Sequence, residues 1–194
     1  MNIINNPQPC EWAALCERNA PSDEQVMESV RAIVETIRKE GDQALRRFAH
    51  DFDCATITDI ELTDDERTLL AAQTSAEVQQ AIQHALHNIQ AFHKAQKPMM
   101  VEVETQPGVH CVQKAVPIQR VGLYIPGGRA PLFSTVLMLA APAVIAGCKE
   151  IVLCTPQGAD GHIAPEIIYA ANICGIHHIY RVGGAQAIAA MAYG

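Results

Sequence analysis

The second half of the chain alternates short apolar runs with helix-forming runs, and this alternation constrains the fold more than any other feature. Strands are expected at 121–125, 150–154 and 177–182, and each is followed by a predicted helix, at about 132–146, 164–174 and 185–193. Short connections in the order β-α-β-α-β-α predict a parallel sheet with helices packed on its faces. We therefore expect an α/β fold whose second half is a Rossmann-like parallel-sheet unit.

The first half predicts a helical lead-in that ends in a β-hairpin. Thr63 and Ser75 stand where helix N-caps are expected, and Thr56 to Leu62 alternates weakly enough to suggest a short strand. Two alternating segments, 101–105 and 109–116, flank a Pro-Gly turn and predict the hairpin. We expect three parts along the chain: a docking tail at 1–20, a helical lead-in with the hairpin at 21–118, and the Rossmann-like half at 119–194.

Composition and charge narrow the function classes. The chain has 194 residues, 49% hydrophobic and 18% charged, which is globular composition, and a net charge of -7 provides no basic face for nucleic acid. The longest uncharged run, Ala130 to Cys148, contains two prolines and is interpreted as a buried helix rather than a membrane span. We expect a soluble, cytoplasmic protein without a nucleic-acid or membrane partner.

The seven cysteines are odd in number, are irregularly spaced and include no CxxC motif. This pattern matches neither a disulfide framework nor a zinc finger. We therefore expect reduced thiols that are mostly buried, with Cys111 in the core.

Two glycine pairs follow predicted strands, Gly127-Gly128 after VGLYIP and Gly183-Gly184 after IYRV. In open parallel sheets ligands bind beyond the carboxyl ends of the strands, and glycine lets the backbone approach a ligand such as a dinucleotide pyrophosphate. However, the GxGxxG fingerprint is absent, and Cys154 and Thr155 stand where an acidic residue would hold a ribose. From pattern alone, glycine pairs that serve only as tight turns are an equally good interpretation.

Four side chains near these loops are candidates for chemistry. Tyr124 could stack on a planar cofactor group or be a half-buried strand residue, and Gln186 could bind a ligand or be a surface residue. Ser134 lies in the first turn after the first loop, where serine is often only a local backbone partner. Cys154 at a strand end could be a nucleophile, although the sequence places no base beside it, and a buried inert thiol is the favoured interpretation.

Several stretches resemble one enzyme family, the histidinol dehydrogenases of enteric-type bacteria. They are GDQALRRFAHDFD (41–53), NIQAFHKAQ (88–96), ETQPGVHC (104–111), VGLYIPGG (121–128), APLFSTVLMLAAPAVIAGCKE (130–150) and VGGAQAIAAMAYG (182–194). The resemblance covers nearly the whole chain from Ser22 onward. The combination of a PGG loop two residues after a tyrosine with a GGAQA run is not a generic Rossmann pattern.

The resemblance implies an NAD-dependent and zinc-dependent homodimer that oxidises L-histidinol through the aldehyde to L-histidine, the last step of histidine biosynthesis. It implies that Tyr124 and Gln186 contact the cofactor and that Ser134 approaches the substrate. The family's catalytic Glu-His pair and zinc ligands lie beyond the point that matches Gly194. We therefore expect an incomplete, amino-terminal part of the enzyme, inactive alone, with no catalytic or zinc-binding residue of its own.

Two alternatives to this interpretation stay open. The first is a non-catalytic nucleotide-binding remnant of the same enzyme. The second is an aldehyde dehydrogenase that uses Cys154 as its nucleophile on a related α/β scaffold.

Overall fold

The computed structural model describes residues 4–17, 24–53, 57–127, 130–158 and 161–193. The lead-in contains a 3-10 turn (Pro9–Glu11), α1 (Trp12–Cys16), α2 (Glu24–Glu40), α3 (Asp42–Asp53), α4 (Asp64–Ala71) and α5 (Ala76–Ala95). The hairpin is β1 (Val101–Gln106) and β2 (Val109–Gln113). The second half is β3 (Arg120–Tyr124), α6 (Phe133–Ala146), β4 (Glu150–Cys154), α7 (Pro165–Ile173), β5 (His178–Tyr180) and α8 (Gly184–Tyr193). The predicted α/β alternation is confirmed, with β5 shorter than expected.

Both predicted helix caps form as expected. The Thr63 hydroxyl accepts from the Glu66 N–H while the Glu66 side chain reaches back to the Thr63 N–H, which is a complete capping box. The Ser75 side chain accepts from the Val78 N–H at the start of α5. Each cap satisfies backbone donors that an unprotected helix start would leave without partners.

The sheet is parallel in the order β3-β4-β5, and it separates two apolar layers. Leu123, Leu153 and Ile179 point to one face, where they pack with α6, α7 and α5. The opposite face carries residues such as Cys154 and Val182, which pack with α8, α2 and α3. α8 crosses this second face as far as β3, where the Met191 side chain lies directly against Gly122.

The segment before α4 is not the strand that the alternation of Thr56 to Leu62 suggested. Thr56 lies outside the described residues, and from 57 to 62 the chain forms only an isolated antiparallel bridge, between Glu61 and Tyr180. Two flanking hydrogen bonds, Leu62 N–H to the Ile179 carbonyl at 2.9 Å and Arg181 N–H to the Ile60 carbonyl at 2.8 Å, hold it along the edge of β5. The capping box at Thr63 turns the chain into α4 before a longer ladder can form.

The hairpin and the tail lie at the surface. All residues of β1 and β2 are exposed on both faces, so the alternation there does not mark a buried side. The prediction that Cys111 is a core residue was therefore wrong, and so was the expectation of mostly buried thiols. Among the six described cysteines only Cys154 and Cys174 are buried. The tail helices contain no buried residue, and docking of the tail stays a prediction.

No helix in the described ranges combines the length and apolarity that a membrane crossing requires.

Two arginines join the lead-in to the Rossmann-like unit. Arg181, just beyond β5, donates to the Glu66 carboxylate and, at 3.0 Å, to the Asp59 carbonyl. Arg67 of α4 is nearly buried and donates to Asn172 Oδ1 of α7 at 2.9 Å and to Asp64 Oδ1 at 2.6 Å. Because a buried guanidinium needs such partners, these contacts hold α4 in one position against the sheet unit.

The Glu66 carboxylate makes stability depend on pH. The Thr63 backbone N–H and the Arg181 guanidinium hold the pKa of Glu66 below its ordinary value. A lowered folded-state pKa means that the stabilisation is present above the unfolded pKa and is lost as pH falls through the folded one. We expect Glu66→Gln, which keeps the capping geometry, to lose about 0.5–1 kcal/mol of stability at neutral pH, since this carboxylate is partly exposed.

Urea unfolding from neutral to acidic pH checks this prediction. The difference between Glu66→Gln and the unsubstituted chain should shrink at acidic pH, where both carry a neutral side chain. Glu35→Gln, on the exposed side of α2, is the matched control and should change little. A constant difference at every pH would contradict an ionic contribution of Glu66.

Candidate functional site

The loops at the carboxyl ends of the three parallel strands meet around one proline. Pro156 follows β4, and its Cγ lies 2.7 Å from the place where a Cβ on Gly127 would be. Its Cβ lies 2.7 Å from the corresponding place on Gly183. Any side chain larger than hydrogen at these two positions would overlap the ring, so the glycines are needed for the loops to pack together.

Tyr124 and Gln186, the two residues expected to contact a cofactor, meet at Gly184. The Gly184 N–H donates to the Tyr124 hydroxyl at 3.0 Å, which joins the end of β3 to the start of α8. Gly184 has φ +61°, and Gln186 Oε1 lies 2.6 Å from the place that its Cβ would occupy. Gln186 is only 2% exposed, so the interpretation of a surface glutamine was wrong, while Tyr124 is half-buried.

Asp53, the last residue of α3, lies at the same edge. Its Oδ2 lies 3.5 Å from the place that a Cβ on Gly183 would occupy, on the side of Gly183 that also faces Pro156. Burial raises the pKa of Asp53 above its ordinary value. The edge thus combines a tyrosine, an amide, a carboxylate and backbone that carries no side chains.

Ser134 makes no hydrogen bond with this cluster. It is exposed in the first turn of α6, and no hydrogen bond connects it with Tyr124, Gly184 or Gln186. Its approach to a substrate stays a prediction.

Cys154 has the environment of an inert thiol. It is 3% exposed between the sheet and the α8 layer, and desolvation raises its pKa to about 11. A nucleophilic cysteine needs the opposite shift, toward the thiolate. The structure therefore argues against an aldehyde dehydrogenase mechanism through Cys154.

A cavity of about 620 Å³ lies on the face of the sheet that α8 covers. Arg120 and Glu150 line it at the amino ends of β3 and β4 and pair with each other at 2.8 Å. Cys154, Tyr180 and Val182 line it toward the carboxyl ends of β4 and β5. Tyr124, Gly183 and Gln186 do not line it. Ligands of open parallel sheets bind beyond the carboxyl ends of the strands. The candidate site is therefore the glycine edge, formed by Gly127, Gly183 and Gly184 with Tyr124 and Gln186.

Within the described ranges, no group of three or more histidine, cysteine or acidic side chains is arranged to hold a metal ion. A zinc site needs such a convergent set of ligands. The described residues therefore do not fit zinc.

The fold and the glycine edge define a Rossmann-like α/β protein whose candidate ligand site lies at the carboxyl ends of its strands. The family model described as histidinol dehydrogenase matches residues 16–194. The chain belongs to the histidinol dehydrogenase family.

Individual relatives agree with this assignment. Histidinol dehydrogenase of Bacteroides thetaiotaomicron is 48% identical over 194 residues, which is 100% of this chain and 45% of that protein. The Escherichia coli K12 enzyme is 50% identical over 173 residues, 89% of this chain and 39% of that protein. The crystal structure of histidinol dehydrogenase from Elizabethkingia anophelis superposes with a TM-score of 0.91 at 48% identity, covering 97% of this chain and 44% of that one. The chain thus spans less than half the length of these relatives.

Sequence reasoning missed Pro156 and Asp53 at this edge. A proline two residues after the predicted strand at 150–154 was a signal that could have indicated Pro156. Asp53 carried no such signal, because its neighbour Gly183 is far away in sequence and on a different type of element.

The contact between Gly127 and Pro156 can be tested by a paired substitution. Gly127→Ala should lose about 1–3 kcal/mol of stability, because its Cβ would overlap Pro156 Cγ. Pro156→Ala removes Cγ and should restore most of that loss in the double variant, which denaturant unfolding measures as a coupling energy. Gly183→Ala overlaps the Pro156 Cβ that alanine keeps, so Pro156→Ala should rescue it much less. Equal rescue of both glycine variants would contradict the described packing.

Thiol reactivity tests the state of Cys154. Iodoacetamide at pH 8 should modify the exposed Cys111 readily in the folded chain and leave Cys154 essentially unmodified, since burial and a pKa of about 11 suppress its thiolate. Peptide mass spectrometry reads both sites in one sample, and urea-unfolded chain is the control in which both react. Fast modification of Cys154 in the folded chain would contradict the inert state and support Cys154 as a nucleophile.

Proposed function

We propose that this chain is the NAD-binding part of a histidinol dehydrogenase. The observation that carries the proposal is the hydrogen bond from the Gly184 N–H to the Tyr124 hydroxyl, with Gln186 against the same glycine. It unites at one edge the two residues to which the family resemblance assigns cofactor contacts. Gly127, Gly183 and Gly184 belong to the loops at the carboxyl ends of β3 and β5, where open parallel sheets bind their ligands.

The whole enzyme would oxidise L-histidinol through histidinaldehyde to L-histidine, the last step of histidine biosynthesis, in the cytoplasm and as a homodimer. NAD⁺, when bound, supplies the hydride acceptor for each of the two oxidations. The part of this chain is to bind and orient that acceptor: the Tyr124 ring offers a stacking surface, and the Gln186 amide can both donate and accept. Ser134 would approach the substrate from the start of α6.

Zinc dependence would come from residues outside the described set, because the described side chains do not fit the metal. The same holds for the Glu-His pair that handles protons in the family. We therefore propose no proton transfer or metal-assisted step by this chain and expect it to be inactive alone.

The second candidate function is a nucleotide-binding remnant that serves no catalysis. The buried, inert state of Cys154 favours it, because this thiol was the nucleophile candidate of the chain. It differs from the first candidate only in whether the remaining parts of the enzyme are supplied.

Calorimetric titration with NAD⁺ tests the cofactor site. Tyr124→Ala should weaken binding about tenfold or more, since the stacking of a base on an aromatic ring contributes about 1–3 kcal/mol. Tyr124→Phe keeps the ring but loses the acceptor for the Gly184 N–H, so its effect should be intermediate. Gln186→Ala should also weaken binding.

Tyr193→Phe, an exposed tyrosine at the end of α8, is the matched control and should bind like the unsubstituted chain. L-Histidinol oxidation, assayed in the same samples with added zinc, separates binding from turnover. Binding that is weakened at Tyr124 and Gln186 without turnover supports the proposal. Turnover would show that this chain holds zinc itself. NAD⁺ affinity that neither substitution lowers would show that the cofactor binds elsewhere.

A further inference from the structure

We infer that Asp53 accepts hydrogen bonds from the hydroxyls of one ribose of NAD⁺, the ribose of the nucleotide half that binds at the glycine edge. In dinucleotide-binding folds of this type, an acidic residue at the end of the second strand has that role. Here the acid comes instead from the end of α3 in the lead-in. The inference rests on the proposed function, because it concerns the same cofactor.

The position of Asp53 supports this role. Oδ2 lies 3.5 Å from the place that a Cβ on Gly183 would occupy, and the Cβ of Pro156, two residues beyond the end of β4, lies 2.7 Å from the same place. The carboxylate is therefore beside the loop of β5 and next to the end of β4. β4, the second strand of the unit, ends at Cys154, and both Cys154 and the following Thr155 are buried and carry no charge that could bind a diol.

The Asp53 carboxylate is also without a partner among the described residues, unlike other acids around the lead-in. Glu66 accepts from Arg181, Glu61 pairs with His178, and Asp64 pairs with Arg67. No hydrogen bond or ion pair connects Asp53 with another described residue. It is half-buried, and desolvation raises its pKa, so donors at this point would stabilise its charged form.

A ribose fits the chemistry of this position. An ionised carboxylate only accepts, and its two oxygens match the two neighbouring hydroxyls of a ribose. The three strands β3, β4 and β5 form one mononucleotide-binding half of a doubly wound sheet, which holds one ribose near these loops. A phosphate in place of the 2′-hydroxyl would meet the carboxylate as a like charge, so Asp53 should also select NAD⁺ over NADP⁺.

Titrations of NAD⁺ and NADP⁺ into this chain test the inference, with Asp53→Asn as the variant. Asparagine keeps the shape but loses the charge and one acceptor. We expect NAD⁺ affinity to fall about tenfold, with little change for NADP⁺, so that the ratio of the two dissociation constants shifts about tenfold toward NADP⁺. Asp51→Asn, two residues earlier on the exposed side of α3, is the matched control and should leave both affinities unchanged.

The outcomes distinguish this inference from the proposed function. Equal losses for both nucleotides in Asp53→Asn would show a structural role for the carboxylate and overturn the inference. Undiminished NAD⁺ binding in Asp53→Asn, with weakened binding in Tyr124→Ala, would overturn it while the proposed cofactor site stands. Absence of NAD⁺ binding by the unsubstituted chain would overturn both. Thermal unfolding of each variant identifies any general loss of folding.

Discussion

The contact of Pro156 with two glycines is the constraint on which the candidate site depends. A proline ring is rigid, and it can lie between the loops of β3 and β5 only because Gly127 and Gly183 present no side chain to it. That packing sets the separation of the neighbouring strand ends. The Gly184 N–H can then reach the Tyr124 hydroxyl, and Gln186 comes to lie on the same glycine. The packing of the loops is therefore the condition for the polar contacts that could bind a ligand.

The lead-in helices contact the residues that lead into this edge. Arg181 stands two residues before Gly183, and its bonds to Glu66 and to the Asp59 carbonyl hold the end of β5 against the start of α4. The Arg67–Asn172 contact fixes α4 from the other side. Because the same lead-in carries Asp53 to the glycine loop, the Rossmann-like half and the helices before it act as one unit at the site. The boundary expected at residue 118 follows from sequence patterns alone. The contacts of Arg181, Arg67 and Asp53 join the parts on its two sides.

Local patterns predicted most of the elements and the edge where the site lies. The alternation after Gln119 and the caps at Thr63 and Ser75 depend on neighbours in sequence, so they could be predicted. The burial of Gln186, the exposure of Cys111 and the place of Asp53 depend on contacts between distant segments, which a single sequence does not reveal. The family resemblance implies cofactor contacts for Tyr124 and Gln186, which stay predictions, and the structure shows that both side chains lie against Gly184.

The two outer edges of the parallel sheet are not equivalent. The bridge at Glu61 occupies the outer side of β5, while among the described residues β3 pairs only with β4. α8 lies on the face opposite α6 and α7 and runs back across the sheet to Gly122 of β3. Since crossovers between parallel strands are right-handed, a strand reached from α8 would pair with β3. A further parallel strand would therefore be added beside β3 and not beside β5. It would form a crevice beside Tyr124, at the end of β3.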